Sequence, residues 1–255
     1  MDTSFTGINA VVTGANGEIG RACATELTRL GARVWALDIA FPESPSPRES
    51  AGGTVTECRA DVTDPAAVRR AFAAAERRHG PVRLLVNAAG GPGRARGPLD
   101  TVDDGDWRRV VALNLDGVFH CCREAARSMK AHEVTGAIVN ISSGAGRTSS
   151  RTGVQAYAAA KAGVIGFTRQ IARELGPFGI RVNCVAPGLI DVAGIREEIA
   201  GLPREALAAH LAGVPLGRLG KADDLVGPVM FFLSDSARYV TGQTISVDGG
   251  SIMLG

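Results

Sequence analysis

The sequence predicts an α/β protein: one domain over residues 1–255, built on a doubly wound parallel β-sheet of about seven strands with helices on both faces. Three observations predict it. Short apolar runs alternate with longer amphipathic stretches from end to end, as in repeated strand–helix–strand units. Gly14, Gly17 and Gly20 lie between the first apolar run and the first amphipathic stretch, where a strand must turn sharply into a helix. The 255 residues, 45% of them hydrophobic, suffice for a substantial core.

Residues 9–13 read as the first strand, and the helical pattern after the glycines runs through Leu30 to Gly31, a residue suited to a left-handed cap. Residues 33–37 and 54–58 give the second and third strands. Between them, the segment 42–53 carries Pro42, Pro45 and Pro47, which forbid a long helix, so a short turn or loop is expected. Asp64 caps the next helix, with Pro65 in a first turn where a missing N–H costs nothing. Residues 82–86 form the fourth strand, 106–131 a long helix, and 136–141 the fifth strand. A helix follows over roughly 154–175, then strands at 180–185 and 244–247. There is no internal repeat.

Bulk properties exclude several classes. A net charge of +2 argues against a nucleic-acid partner, and the pairs Arg69–Arg70, Arg77–Arg78 and Arg108–Arg109 read as solvated helix faces. Five cysteines without a Cys-x-x-Cys, and four histidines without ligand spacing, suggest neither a disulfide framework nor a metal site. Buried thiols in a reducing compartment are expected. The N-terminus lacks an apolar signal core and no apolar run is long enough for a bilayer, so the reading is a soluble cytoplasmic protein with no membrane partner.

Chemistry is signalled first by Tyr157 and Lys161 in Gln155-Ala156-Tyr157-Ala158-Ala159-Ala160-Lys161. On a helix a four-residue step places both on one face. An ammonium beside a phenol favours the phenolate and lowers its pKa from about 10, fitting the phenol for proton transfer near neutrality. Other motifs accompany the pair: Thr13-Gly14-Ala15-Asn16-Gly17-Glu18-Ile19-Gly20; Asn87-Ala88-Ala89-Gly90; Asn114; Ser143; Asn183-Cys184-Val185-Ala186-Pro187-Gly188; Tyr239-Val240-Thr241-Gly242-Gln243; and Val247-Asp248-Gly249-Gly250. In order and spacing they resemble the short-chain dehydrogenase/reductase family from end to end.

The resemblance implies a Rossmann fold and a catalytic tetrad of Asn114, Ser143, Tyr157 and Lys161. Tyr157 moves the hydroxyl proton, and Ser143 stabilises the substrate oxygen. Lys161 holds the nicotinamide ribose and depresses the tyrosine pKa, while Asn114 supports a water leading to solvent. The interval from Ser143 to Tyr157 is 14 residues (157 − 143), about one longer than expected, so Ser142 is the alternative.

The same resemblance assigns Gly14, Asn16, Gly17, Glu18 and Ile19 to the pyrophosphate turn, Asp38 to the adenosine ribose, and Asp61 and Val62 to adenine. Asn87, Ala88 and Gly90 fall under that ribose; Pro187, Gly188 and Ile190 fall beside the carboxamide. A carboxylate at position 38 accepts both ribose hydroxyls and repels a 2′-phosphate, which favours NAD over NADP and alcohol oxidation over reduction.

Ala88 replaces a commoner second asparagine, and two further positions depart from the compact family pattern. Glu18 stands where a fingerprint glycine is usual, giving a spacing like that of the extended, epimerase-containing branch. Its carboxylate would oppose a pyrophosphate, so it is expected to point to solvent. Val192 replaces a common threonine. A helical lid is expected over 195–211 within the segment 191–214. Arg94, Arg96, Arg147 and Arg151 are candidates for an anionic substrate group.

The expected function is NAD-dependent hydride transfer between a secondary alcohol and its ketone, in a homotetramer built through the two long helices. The alternatives are an NADP-dependent ketone or 3-oxoacyl reductase, an epimerase of the extended branch, and a non-catalytic NAD-sensing regulator. The epimerase is disfavoured for want of a second substrate domain, and the regulator because it has no need of the tetrad.

Overall fold

A computed structural model describes residues 4–50, 52–93, 95–149, 153–201 and 204–253. The first half comprises β1 (Asn9–Thr13), α1 (Glu18–Arg29), β2 (Arg33–Asp38), β3 (Ser46–Ser50), β4 (Gly53–Arg59), α2 (Pro65–His79), β5 (Val82–Asn87) and α3 (Asp104–Val111). A π-helical turn, Ala112–Asp116, joins α3 to α4 (Gly117–Ala131). Then come β6 (Gly136–Ile141), α5 (Gln155–Leu175), β7 (Ile180–Pro187), α6 (Ala193–Ala200), α7 (Arg204–Ala212), α8 (Ala222–Leu233) and β8 (Thr244–Val247). The strands form one sheet in the order β3-β4-β2-β1-β5-β6-β7-β8, parallel except for β3.

The sheet separates two cores, and strand alternation decides which residue serves which. On β1, Val11 faces the side covered by α2, α4 and α5, while Ala10 and Val12 face α1 and α8. Leu85 and Ile138 repeat the first assignment; Leu84, Val86 and Val139 repeat the second. Strands buried on both faces read as continuous apolar runs, which is why they were legible in sequence. Fully burying each large apolar side chain, such as Leu27, Leu85 or Phe232, stabilises by about 1.5–3 kcal/mol.

Three expectations change. The segment expected as a loop contains an eighth strand: Ser46–Ser50 pairs antiparallel with β4, Pro47 opposite Thr56. An edge strand needs ladder bonds on one side only, so it tolerates a proline. An Arg48–Glu57 ion pair ties the two strands. The long helix starts at Asp104, with Asp103 accepting the Gly105 and Asp106 N–H groups at 2.8 and 3.1 Å, and the π turn interrupts it. The segment expected to carry one helix over 195–211 holds two, α6 and α7, in keeping with Gly201 and Pro203 in the sequence between them. Among the described residues no helix is long and apolar enough to cross a membrane.

Candidate active site

The chain runs from β1 outward to β2 and β4, then returns to β5 on the other side of β1. That reversal opens a crevice at the carboxyl ends of β1 and β5, the usual ligand position in such sheets. Gly14, at φ 64°, allows the two loops to touch: a Cβ there would lie 2.7 Å from the Ala89 backbone. A Cβ on Gly20 would lie 2.3 Å from the Gly14 carbonyl oxygen. The Ala89 N–H donates to Thr13 Oγ1 at 3.1 Å and stitches the loops together. Helix α1 begins after Gly17, with no side chain capping it, so its first-turn N–H groups can face an anion. At the end of β2, Asp38 accepts the Asn16 N–H at 3.1 Å and the Ala40 N–H at 2.9 Å. This glycine-tight cradle, open helix end and strand-end carboxylate together fit a dinucleotide.

Other expected cofactor positions border the crevice in different ways. Asp61 is exposed at the end of β4, one oxygen accepting the Thr63 N–H and hydroxyl at 2.8 and 2.7 Å. Val62 is buried, and its carbonyl is bonded by His120 Nδ1 at 2.9 Å. The Asn87 side chain turns inward, donating to Asn140 Oδ1 at 2.9 Å and Cys122 Sγ at 3.2 Å. Any ligand contact there falls to backbone. Ala88 packs into the core beside α1. Gly188 must lack a side chain, since a Cβ would meet Asp248 at 2.6 Å. Ile190, beyond Pro187, is buried in a parallel bridge to Gly220.

Gly90 sits where the crevice meets the chemistry. A Cβ on it would approach Asn114 Oδ1 at 2.6 Å and Lys161 Nζ at 2.9 Å. The π turn carries Asn114 into a fully buried position, where its amide donates to the Gly91 and Val110 carbonyls at 2.8 and 2.9 Å and its oxygen accepts the Gly91 N–H at 3.0 Å. Its direct contacts therefore clamp the loop after β5.

Lys161 is buried and donates to the Ile141 carbonyl at 2.9 Å, with Nζ 5.5 Å from the Tyr157 ring centre. Desolvation pulls the ammonium pKa down to about 8. Tyr157 differs from the expectation: burial holds its phenol above the ordinary value, opposed by a hydrogen bond with Ser143. Desolvation therefore outweighs the Ser143 hydrogen bond, and the phenol is not lowered as the pairing with Lys161 led one to expect. The two serines part company. Ser142 Oγ is buried and donates to the Lys161 carbonyl at 2.7 Å, whereas Ser143 Oγ accepts the Ala145 N–H at 3.2 Å beside Tyr157.

Glu18 does not point free into solvent. It accepts the Ala193 N–H at 2.8 Å and bonds Arg196 at 2.5 Å, both on α6. Arg147 is turned to β8, donating to the Thr244 carbonyl at 3.2 Å and Ser246 Oγ at 3.0 Å, which makes it a structural tie. Arg96 is exposed, and Arg94 and Arg151 lie outside the described residues.

Sequence reasoning missed Gln155, whose amide donates to the Gly97 carbonyl at 2.8 Å and holds the 91–98 loop to the start of α5. It also missed Ile252, whose Cδ1 would lie 3.0 Å from a Cβ on Gly144, next to Ser143. Neither carries a local signal, because each acts on a distant segment.

A family model described as enoyl-(acyl carrier protein) reductase matches residues 14–251. The 3-oxoacyl-(acyl-carrier-protein) reductase FabG of Salmonella typhimurium is 37% identical over 251 residues, covering 98% of this chain and 100% of the relative. The chain is a short-chain dehydrogenase/reductase. A second relative, cis-4-hydroxycyclohexanecarboxylate dehydrogenase of Sinomonas cyclohexanicum, is 38% identical over 252 residues and 98% of each chain. The structure of a short-chain type dehydrogenase/reductase from Mycobacterium ulcerans superposes with a TM-score of 0.87 at 32% identity, covering 97% of this chain and 90% of that one. As a short-chain dehydrogenase/reductase, the chain is an oxidoreductase of the CH–OH/C=O couple that works with a nicotinamide cofactor.

Proposed function

We propose that the chain is an NAD-dependent dehydrogenase acting on a secondary alcohol or its ketone, with Tyr157 as general acid/base. The observation that carries this is the convergence of Ser143, Tyr157 and buried Lys161 on the glycine crevice. A nicotinamide held in the glycine crevice would supply the hydride chemistry at the carbinol carbon. In oxidation Tyr157 Oη takes the hydroxyl proton, and Ser143 Oγ donates to the substrate oxygen and stabilises its charge. Lys161 is fixed by Ile141 and holds the ribose hydroxyls. Asn114 keeps the loop after β5 in place through Gly91. Desolvation raises the Tyr157 phenol and the Ser143 hydrogen bond opposes it; oxidised nicotinamide, once bound, would add a positive charge that favours the phenolate.

Asp38 favours NAD, because its carboxylate stands at the end of β2 and, among the described residues, no cation pairs with it. The nearest arginine on α1, Arg21, is spent on the Asn16 carbonyl at 2.6 Å. Similarity to FabG favours a second reading, an NADP-dependent 3-oxoacyl reductase. A homotetramer is supported by an apolar groove of Phe119, Ala126, Phe167, Ile171 and Leu175 along α4 and α5, where Phe119 is exposed. Cytoplasmic residence is supported by five buried free thiols. The test is a panel of secondary alcohols, hydroxy acids and cyclic alcohols with their ketones, and of 3-oxoacyl thioesters, followed by NADH and NADPH absorbance. Turnover with NAD is the expected result; turnover with NADP alone moves the assignment to the second reading.

A further inference from the structure

Two of the departures from the family pattern meet in space. Glu18 replaces a fingerprint glycine on α1, and Val192 offers no hydroxyl just before α6. The Glu18 carboxylate accepts the N–H of Ala193, the very next residue, at 2.8 Å. Arg196, one turn along α6, donates to the same carboxylate at 2.5 Å. Its other nitrogen holds the Asp191 carbonyl at 3.0 Å and the Asp191 carboxylate at 3.2 Å. One carboxylate thus joins the N-termini of two helices, and one guanidinium bridges both carboxylates that face it.

The arrangement answers an electrostatic problem. The N-terminus of α1 is the place for a pyrophosphate, and a bare carboxylate in its first turn would repel one. The Arg196 guanidinium offsets part of this charge: shared between Glu18 and Asp191, it leaves the trio with one net negative charge instead of two, and its shorter contact is to Glu18 at 2.5 Å. Arg196 dominates the lowering of the Glu18 pKa, with Ala193 next and Arg21 as a more distant cation. An exposed ion pair adds little to stability by itself, so the consequence to look for is in ligand affinity and the order of α6.

We propose that Glu18 and Arg196 form a clasp that seats α6 beside the crevice and, by offsetting the charge of Glu18, makes the fingerprint tolerant of a bound dinucleotide. This rests on the dinucleotide-binding reading of the site. Arg196 is a positioning residue: it touches neither the transferred hydride nor the proton.

Two measurements test the clasp. In the ligand-free protein, Arg196→Ala and Glu18→Ala should each speed amide hydrogen exchange in α6 at least fivefold while α5 stays unchanged. Unchanged exchange in α6 overturns the clasp. NADH titrated by its fluorescence should bind Arg196→Ala at least fivefold more weakly than wild type. Glu18→Gln added to Arg196→Ala should bring affinity back to within about threefold, as should Arg196→Lys in place of alanine. The alanine defect should shrink in high salt, because it arises from an exposed uncompensated charge. Equal losses in the single and double variants would overturn the compensation. A wild-type chain that binds neither NADH nor NADPH would overturn the dinucleotide half together with the functional reading, and the exchange data would still distinguish that from a missing clasp.

Discussion

Tyr157 and Asp38 each carry a separable prediction. Removing the phenol oxygen leaves the crevice and Lys161 in place, so Tyr157→Phe should lower kcat by roughly 10²–10⁴-fold with NAD binding changed only a few fold. Steady-state rates and an NADH titration check both halves, and substantial retained turnover would end the proton-transfer role. Asp38→Ser removes the repulsion of a 2′-phosphate and should narrow the NAD-over-NADP ratio of kcat/KM by about tenfold. An unchanged ratio would move cofactor choice elsewhere. Both residues were legible because each closes a local motif. Asn87 was legible as a position but not as a contact, since only the folded sheet reveals that its amide is consumed by Asn140 and Cys122.

At the scale of elements, the π turn has the largest consequence. It gathers three hydrogen bonds on one buried amide, so Asn114→Ala strands the Gly91 N–H and two carbonyls. A destabilisation of about 2–3 kcal/mol is expected from such orphaned buried groups, measurable in urea, with activity lost alongside. Asn114→Asp should be nearly as costly, because a carboxylate cannot donate to either carbonyl. Sequence periodicity placed a helix here but could not show a one-residue insertion in its winding, which leaves the apolar pattern almost intact. Strand β3 was missed for a related reason. Edge pairing is a backbone affair, and proline and serine carry no apolar alternation. Most of the strands that were read correctly are well buried, although β8 and much of β4 are only half-buried.

For the whole molecule, the buried thiols set a pH limit. Burial pushes Cys23 and Cys122 up to about 12 and Cys184 up to about 11, from an ordinary 9.0. Unfolded thiols ionise first as pH rises, so their contribution is complete below pH 9.0 and is lost as pH climbs toward the folded values. Lys161 acts in the opposite sense, gaining stability between about 8 and 10.5 because its folded ammonium gives up its proton first. Several thiols outweigh one lysine, at about 1.4 kcal/mol per pH unit for each uncompensated group. The Tm should therefore fall between pH 9 and 10, and a flat profile in thermal melts would refute this. What the sequence could not convey at this scale are contacts between far-apart segments: 178 residues separate Glu18 from Arg196. The position of Ile252 over Gly144 has a consequence in time as well as space. A ribosome adds roughly 5–20 residues per second, and Ile252 follows β8, so this contact is made only after every strand of the sheet has been synthesised. The glycine turns and strand ends of the nucleotide cradle therefore leave the ribosome well before the residue that covers Gly144, so the two sides of the crevice are synthesised at different times.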